Sequence, residues 1–119
     1  MALNNDSSGW HAFEGGTTLD QPGSESGVTI ADEEHSSGAR ITLERGSRVA
    51  PFAITCGLYG WFFHTCYFST EEEARQSFVE MKAELEHIIS LLADSASDPA
   101  NVKHAVLDAI SKFVDRFPT

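Results

Sequence analysis

Hydrophobic and polar residues alternate with a period of two between Val28 and Phe68. β-Branched and aromatic residues dominate this stretch, and polar or glycine-bearing breaks at residues 35–38, 46–49 and 57–60 divide it into four segments. Such a pattern is typical of β-strands joined by short turns. The sequence therefore predicts a four-stranded antiparallel meander over residues 28–68.

The three breaks also predict which side chains share a face of the sheet. If each break closes a simple hairpin, the residues on either side of it lie opposite each other and point to the same face. One face then collects ten mostly apolar side chains: Val28, Ile30, Ile41, Leu43, Phe52, Ile54, Cys56, Trp61, Phe63 and Tyr67. A slip of one residue would scramble this face, so its consistency favours the register.

After the last strand the apolar residues recur at spacings of three and four. Residues 70–73, Thr-Glu-Glu-Glu, form a capping box and predict a helix over residues 70–93. Asp98 followed by Pro99 is an N-cap with a proline in the first turn, which predicts a second helix over residues 98–117. Helices joined by so short a loop should lie antiparallel, packed together on the apolar face of the sheet.

The first 27 residues have a different composition from the rest. They are rich in Gly, Ser and Asn, and residues 1–35 hold seven acidic residues but no Lys or Arg. Residues 1–27 are therefore predicted to be an irregular acidic arm. Residues 28–119 are predicted to be a single α+β domain.

The charge of the chain excludes several classes of partner. Its 119 residues carry a formal net charge of −10, which opposes binding to nucleic acids and to anionic membranes. No run of 18 apolar residues is present, and residues 1–20 do not resemble a secretory signal. We therefore expect a cytoplasmic protein, and any protein partner is expected to be basic.

The two cysteines and the histidines are the first candidates for chemistry. Cys56 and Cys66 are predicted on opposite faces and too far apart for a disulfide, so both thiols are expected to be free. His64 and Cys66 share a face, which makes a thiol- or metal-dependent activity conceivable, but buried inert cysteine is the commoner case. No His or Cys pairs show the spacing of a metal site, so no metal and no cofactor is predicted.

The last strand carries apolar residues on both faces. Phe62, Cys66 and Phe68 are predicted on the face that the helices leave uncovered. An exposed apolar strip on an edge strand favours pairing with another chain, so we expect a homodimer through these three residues. Alternatively, the arm folds back and covers the strip with Trp10 and Phe13.

Two functions follow from this reading. The favoured one is a non-enzymatic, self-associating protein–protein interaction or regulatory module. The alternative is a small-molecule-binding protein or minor enzyme with a pocket between sheet and helices, formed by Tyr59, Trp61, Phe63 and His64. A filled core with a flat apolar patch would favour the first function, and a cavity lined by convergent polar groups would favour the second.

Overall fold

In the part of the chain that the structure describes, the sheet has five β-strands, not four. The computed structural model describes residues 9–93 and 99–119. The elements, in chain order, are β1 (Trp10–Ala12), β2 (Val28–His35), β3 (Ala39–Arg45), β4 (Phe52–Leu58), β5 (Phe62–Phe68), α1 (Glu71–Ala93) and α2 (Pro99–Arg116). The strands form one antiparallel sheet in sequence order, and both helices follow it, so the α+β class is confirmed.

The helices cover one face of the sheet. Five residues of α1 at helical spacing are buried: Ala74, Phe78, Met81, Leu85 and Ile88. They pack in one cluster with Ile41, Leu43, Ile54, Cys56 and Leu58 of the sheet. Burial of each large aliphatic or aromatic side chain contributes about 1.5–3 kcal/mol, so this cluster is the main source of stability. The helices begin and end within one residue of the predicted bounds, and the predicted N-cap Asp98 lies outside the described residues.

The predicted register of β5 is wrong. Cys56 was expected opposite Trp61, but it pairs with His64, while Leu58 pairs with Phe62. The reason is a tighter turn: the Trp61 N–H donates to the Leu58 carbonyl at 2.9 Å, and Gly60 adopts a positive φ of 84°. A shift by an odd number of residues moves every side chain of a strand to the other face.

Each side chain of β5 therefore points to the face opposite to the predicted one. Phe62, Cys66 and Phe68 lie on the helix-covered face, where Cys66 is fully buried and the two Phe rings pack against the core. The expectation that these three residues form an uncovered strip is therefore wrong. Phe63 and Tyr67 lie on the opposite face, which we call the open face.

A β-bulge in β2 changes the faces of a second strand. The register shifts by one residue between Thr29 and Ala31. Beyond the bulge Glu33 faces the helices, where it accepts a hydrogen bond from Lys82 Nζ at 2.9 Å. The same shift sends Asp32 to the open face, opposite Thr42 of β3, whereas strict alternation from Val28 and Ile30 would put Asp32 on the helix-covered face.

The described part of the arm, residues 9–27, lies against the sheet. Its three-residue strand β1 pairs with the outer edge of β2. A 3-10 turn at Phe13–Gly16 follows β1. Further along the arm, the Asp20 N–H donates to the Thr29 carbonyl at 2.8 Å, and the Thr29 N–H donates to the Gln21 carbonyl at 2.9 Å. So short a strand in a glycine-rich segment has no alternation that a sequence pattern could detect. Residues 1–8 of the predicted arm lie outside the described residues.

Candidate functional site

A cavity of about 360 Å³ lies between the arm and the open face of the sheet. Its floor is formed by β2, β3 and β4, mainly by Asp32, Arg40, Thr42, Glu44 and Thr55. Its roof is formed by the arm, from Glu14 to Ser24. The volume is at the lower end of the range of about 300–1,000 Å³ that small-molecule sites occupy.

An ion pair between Arg40 and Asp32 is fixed in the floor of the cavity. Arg40 Nε donates to Asp32 Oδ1 at 3.0 Å, and Arg40 Nη2 donates to Asp32 Oδ2 at 2.7 Å. The hydroxyl of Thr18, from the arm, donates to the same Oδ2 at 2.8 Å. The hydrogen bond to Asp32 is the largest cause of a raised pKa for Arg40, and the nearby Tyr59 contributes to the same shift.

Phe13 completes the environment of this guanidinium. The Arg40 Cζ atom lies 3.5 Å from the centroid of the Phe13 ring, a close cation–π contact. Arg40 is therefore held on one edge by Asp32 and on one face by Phe13, which leaves its Nη1 edge unused by the carboxylate. This is a preorganised donor on the wall of a cavity.

A second buried carboxylate ties the arm to β3. Glu44 is 1% exposed, and its carboxylate accepts backbone N–H bonds from Glu25 at 3.1 Å and from Gly27 at 3.0 Å. A side chain at Gly23 would collide with this carboxylate, since its Cβ would lie 2.2 Å from Glu44 Cδ. The hydroxyl of Tyr67 donates to the Glu25 carboxylate at 2.7 Å, which raises the pKa of that phenol.

Two aromatic rings border the cavity. Phe63 is 72% exposed and Tyr59 is 52% exposed. Phe63 lies over Gly57, where a Cβ would stand 2.6 Å from the Phe63 ring. The glycine therefore lets the ring lie close to the sheet, while most of the ring surface stays exposed.

The backbone of the arm is strained beside the cavity. Glu14 lines the cavity and adopts a left-handed conformation, with φ 47° and ψ 40°. Such a conformation costs a non-glycine residue on the order of 1–3 kcal/mol and persists only where the surroundings impose it. On either side of Glu14, Phe13 contacts Arg40 and Thr18 donates to Asp32, so the arm is held to the sheet at both ends of this turn.

The residues predicted from the sequence are separated by the sheet. Tyr59 and Phe63 border the open-face cavity, whereas Trp61 and His64 do not line it. A ring nitrogen of His64 contacts the Phe117 carbonyl, and the Trp61 side chain packs against the helix-side core. The four residues predicted to line one pocket therefore do not converge on a single cavity.

The cysteines are buried and unreactive in character. Burial raises the pKa of the Cys66 thiol to about 11, and its Sγ donates to the Phe117 carbonyl at 3.1 Å. Burial, together with the charge of Cys66, raises the pKa of Cys56 to about 12. Both are free cysteines, and neither provides a thiolate near neutral pH.

The arm residues predicted as an alternative cover lie on different sides of the sheet. Phe13 covers Arg40 on the open face, while Trp10 packs edge-on against His35 at 5.2 Å and joins the helix-side core. The arm thus covers part of the open face, but through Phe13, Thr18 and the residues bound to Glu44 rather than through both aromatic rings.

The sequence pattern does not identify the polar residues of the cavity. Alternation along β3 places Arg40, Thr42 and Glu44 opposite the predicted apolar face, but it contains no signal that the arm covers them. The one available signal was the pair formed by Asp32 and Arg40, since opposite charges on adjacent strands beside a hairpin can bridge. Without the bulge in β2, Asp32 and Arg40 would lie on opposite faces of the sheet. The bulge brings Asp32 to the same face as Arg40, and the sequence pattern does not show where a bulge occurs.

The described residues show neither a metal-binding cluster nor a membrane-spanning helix. Within residues 9–93 and 99–119, no three His, Cys, Asp or Glu side chains are placed to hold a metal ion together. Over the same residues, neither helix combines the length and apolar character needed to cross a membrane. Comparisons with protein family models, with curated proteins and with solved structures found no match to this chain.

Proposed function

We propose that this chain is a non-enzymatic binding protein that holds a small organic molecule in the cavity between the arm and the open face. The observation that carries the proposal is the fixed guanidinium of Arg40, held by Asp32 and Phe13 beside an aromatic rim. A concave site with a few convergent polar groups is the usual form of a small-molecule site. The helix side of the sheet, by contrast, is filled by side chains.

The cysteine thiols and the buried carboxylates argue against catalysis. A nucleophile needs a lowered pKa or a neighbouring base, whereas burial raises the pKa of both thiols. The carboxylates of Asp32 and Glu44 are engaged by hydrogen bonds from the protein itself. A general base must reach its substrate's proton, so these carboxylates support a structural and binding role.

A cavity-filling variant tests the proposal. Thr42 lies on the floor in the middle of β3, and Thr42→Phe would occupy the cavity with a residue that strands tolerate. Val79→Phe is the matched control, because Val79 is 63% exposed on α1 and lies outside the cavity. The three proteins are screened by thermal shift against a library of small organic compounds, after circular dichroism confirms that each is folded.

We expect compounds that stabilise the unmutated chain and Val79→Phe but not Thr42→Phe. Ligands that bind only the folded state raise the melting temperature by an amount that grows with the ratio of ligand concentration to Kd, so a blocked cavity removes the shift. Equal shifts for Thr42→Phe, or no shift with any compound, would contradict the proposal.

The edge of β5 supports self-association as a second function. β5 is the last strand of the sheet, and its seven residues include no Asp, Glu, Lys, Arg or Pro. Natural edge strands are usually protected by such residues, and an unprotected edge favours pairing with another strand. We propose that two copies of β5 pair across a two-fold axis, so that each copy covers the exposed β5 edge of the other.

The test is the mass of the protein in solution. Thr65→Lys puts a charge in the middle of the edge strand, and Ser111→Lys makes the same charge change on the exposed surface of α2. Light scattering should give a dimer for the unmutated chain and for Ser111→Lys, and a monomer for Thr65→Lys. A monomeric unmutated chain at high micromolar concentration would contradict self-association.

A further inference from the structure

We infer that the ligand of the open-face cavity is a neutral ring carrying several hydroxyl groups, the chemistry shared by free sugars and by the sugar of a nucleoside. The inference rests on the proposed binding function and adds the class of ligand. Three properties of the cavity carry it: its charges, its hydroxyl groups and its aromatic rim.

The positive charge that lines the cavity is already paired within the protein. Arg40 is the one cationic side chain among the described lining residues, and two of its nitrogens are bound to Asp32. An anionic ligand would therefore enter a site whose single positive charge is neutralised, in a protein of net charge −10. Placing an unpaired charge in a cavity is costly, so an anion is disfavoured.

A cationic ligand is disfavoured for the complementary reason. The Asp32 carboxylate accepts from Arg40 and Thr18, and the Glu44 carboxylate accepts from the backbone of Glu25 and Gly27. Each has therefore lost most of its capacity to bind an ammonium group. Glu14 is exposed at the margin of the roof and cannot by itself compensate a buried cation. The remaining choice is a ligand without net charge.

Hydroxyl groups provide most of the hydrogen-bonding capacity that is left. Thr17, Ser24, Thr42 and Thr55 line the cavity, as does the phenol of Tyr59. A hydroxyl has one donor and two acceptor sites, so Thr17 and Thr42 can still accept while they donate to carbonyls within the chain. A ligand suits this wall when its own groups both donate and accept, as ring hydroxyls do. The phenol of Tyr59, which interacts with the Arg40 guanidinium, can in turn donate to a ligand oxygen.

The aromatic rim supplies the apolar contact that such rings need. Phe63 is 72% exposed and lines the cavity, so most of its ring surface is available to a ligand. The C–H groups on one side of a sugar ring, or a nucleoside base, can pack flat against it. A cavity of about 360 Å³ suits one or two such rings rather than a long chain.

The test compares neutral rings with their charged counterparts on the full-length chain. Titration calorimetry uses glucose and uridine as neutral probes. Glucosamine and glucose 6-phosphate are the charged counterparts of glucose, and uridine monophosphate is that of uridine. We expect at least one neutral probe to bind about ten-fold or more tightly than its charged counterpart. The hexose and uridine arms distinguish a free sugar from a nucleoside.

Phe63→Ala gives a second measurement, on a variant that is expected to fold normally. The ring is mostly exposed, so its removal leaves the core intact but should weaken the neutral probe about ten-fold. Leu107→Ala, at an exposed residue of α2, is the control and should bind as the unmutated chain does.

The outcomes separate this inference from the proposed function. A charged probe that binds as tightly as its neutral counterpart overturns the inference. If no probe of the panel binds but other compounds lose their thermal shift in Thr42→Phe, the ligand class is wrong and the binding function stands. If neither the panel nor the compound library binds, both are wrong.

Discussion

The carboxylate of Asp32 and the guanidinium of Arg40 meet at two points, Nε to Oδ1 at 3.0 Å and Nη2 to Oδ2 at 2.7 Å. The two partners differ in exposure: the Asp32 side chain is 2% exposed, whereas that of Arg40 is 35% exposed and faces the cavity. The carboxylate depends on its partners for stabilisation, and the guanidinium can still meet a ligand. This asymmetry makes the pair both a support for the arm and a part of the site.

Asp32→Asn should destabilise the chain measurably. The amide cannot accept all three hydrogen bonds from Arg40 and Thr18, so a buried polar group is left imperfectly paired. We expect the free energy of unfolding, measured with urea, to fall by about 1–3 kcal/mol. Glu84→Gln is the control, since the exposed pair of Glu84 with Arg116 should contribute less than about 1 kcal/mol. Equal losses in the two variants would show that the Asp32 pair contributes no more than a surface pair.

Glu44→Gln should loosen the arm while the helices stay intact. A glutamine has one carbonyl oxygen where Glu44 has two carboxylate oxygens to accept the N–H groups of Glu25 and Gly27. We expect amide hydrogen exchange at Glu25 and Gly27 to accelerate about ten-fold or more. Amides in the middle of α1 are the internal reference and should be unchanged. A uniform acceleration over the whole chain would instead indicate global destabilisation.

Two phenylalanine truncations test the register of β5. Phe113 of α2 is buried in the core on the helix-covered side of the sheet, so Phe113→Ala should cost about 3–5 kcal/mol of unfolding free energy. Phe63 lies on the open face and is largely exposed, so Phe63→Ala should cost less than about 1 kcal/mol. The simple hairpin register, with Phe63 in the core, requires comparable losses for both. Urea unfolding of the two variants therefore decides between the registers.

The buried thiols predict a loss of stability at alkaline pH. Their pKa values are raised from 9.0 to about 11 for Cys66 and to about 12 for Cys56, mainly by burial. Above pH 9 the unfolded chain loses thiol protons that the folded chain retains, so the free energy of unfolding falls as pH rises. Below pH 9 this contribution is fully present.

A double variant isolates this effect. Replacing Cys56 and Cys66 with Ala should flatten the decline of stability between pH 9 and 11, measured by urea unfolding at each pH. An unchanged slope would mean that other groups cause it. In the unmutated chain both thiols should also resist iodoacetamide at pH 8 until the protein is unfolded.

The parts of the fold that local pattern determines were predicted correctly. α1 begins after Thr70, whose hydroxyl accepts the Glu73 N–H at 3.2 Å, and its buried stripe has the predicted spacing. Capping and helical periodicity depend on residues a few positions apart, so the sequence contains the necessary information.

The register of β5 and the cavity depend on contacts that the pattern does not contain. β5 carries aromatic residues on both faces, so hydrophobicity gives no preference, and the turn at Gly60 decides. Arg40 and Glu44 look like ordinary outward-facing strand residues, because nothing in their own strand shows that the arm lies above them. That contact arises from residues up to 27 positions away in sequence, as in the pair of Arg40 with Phe13.

The central claim, that the open-face cavity is a binding site, is tested most directly by mapping a bound ligand. A ¹⁵N–¹H spectrum of the full chain is titrated with the tightest neutral probe from the calorimetric panel. We predict saturable shifts at the amides of Thr18, Thr42, Thr55 and Tyr59, with α1 and α2 unchanged. Shifts confined to the helices, or an absence of saturable shifts on the open face, would contradict the claim.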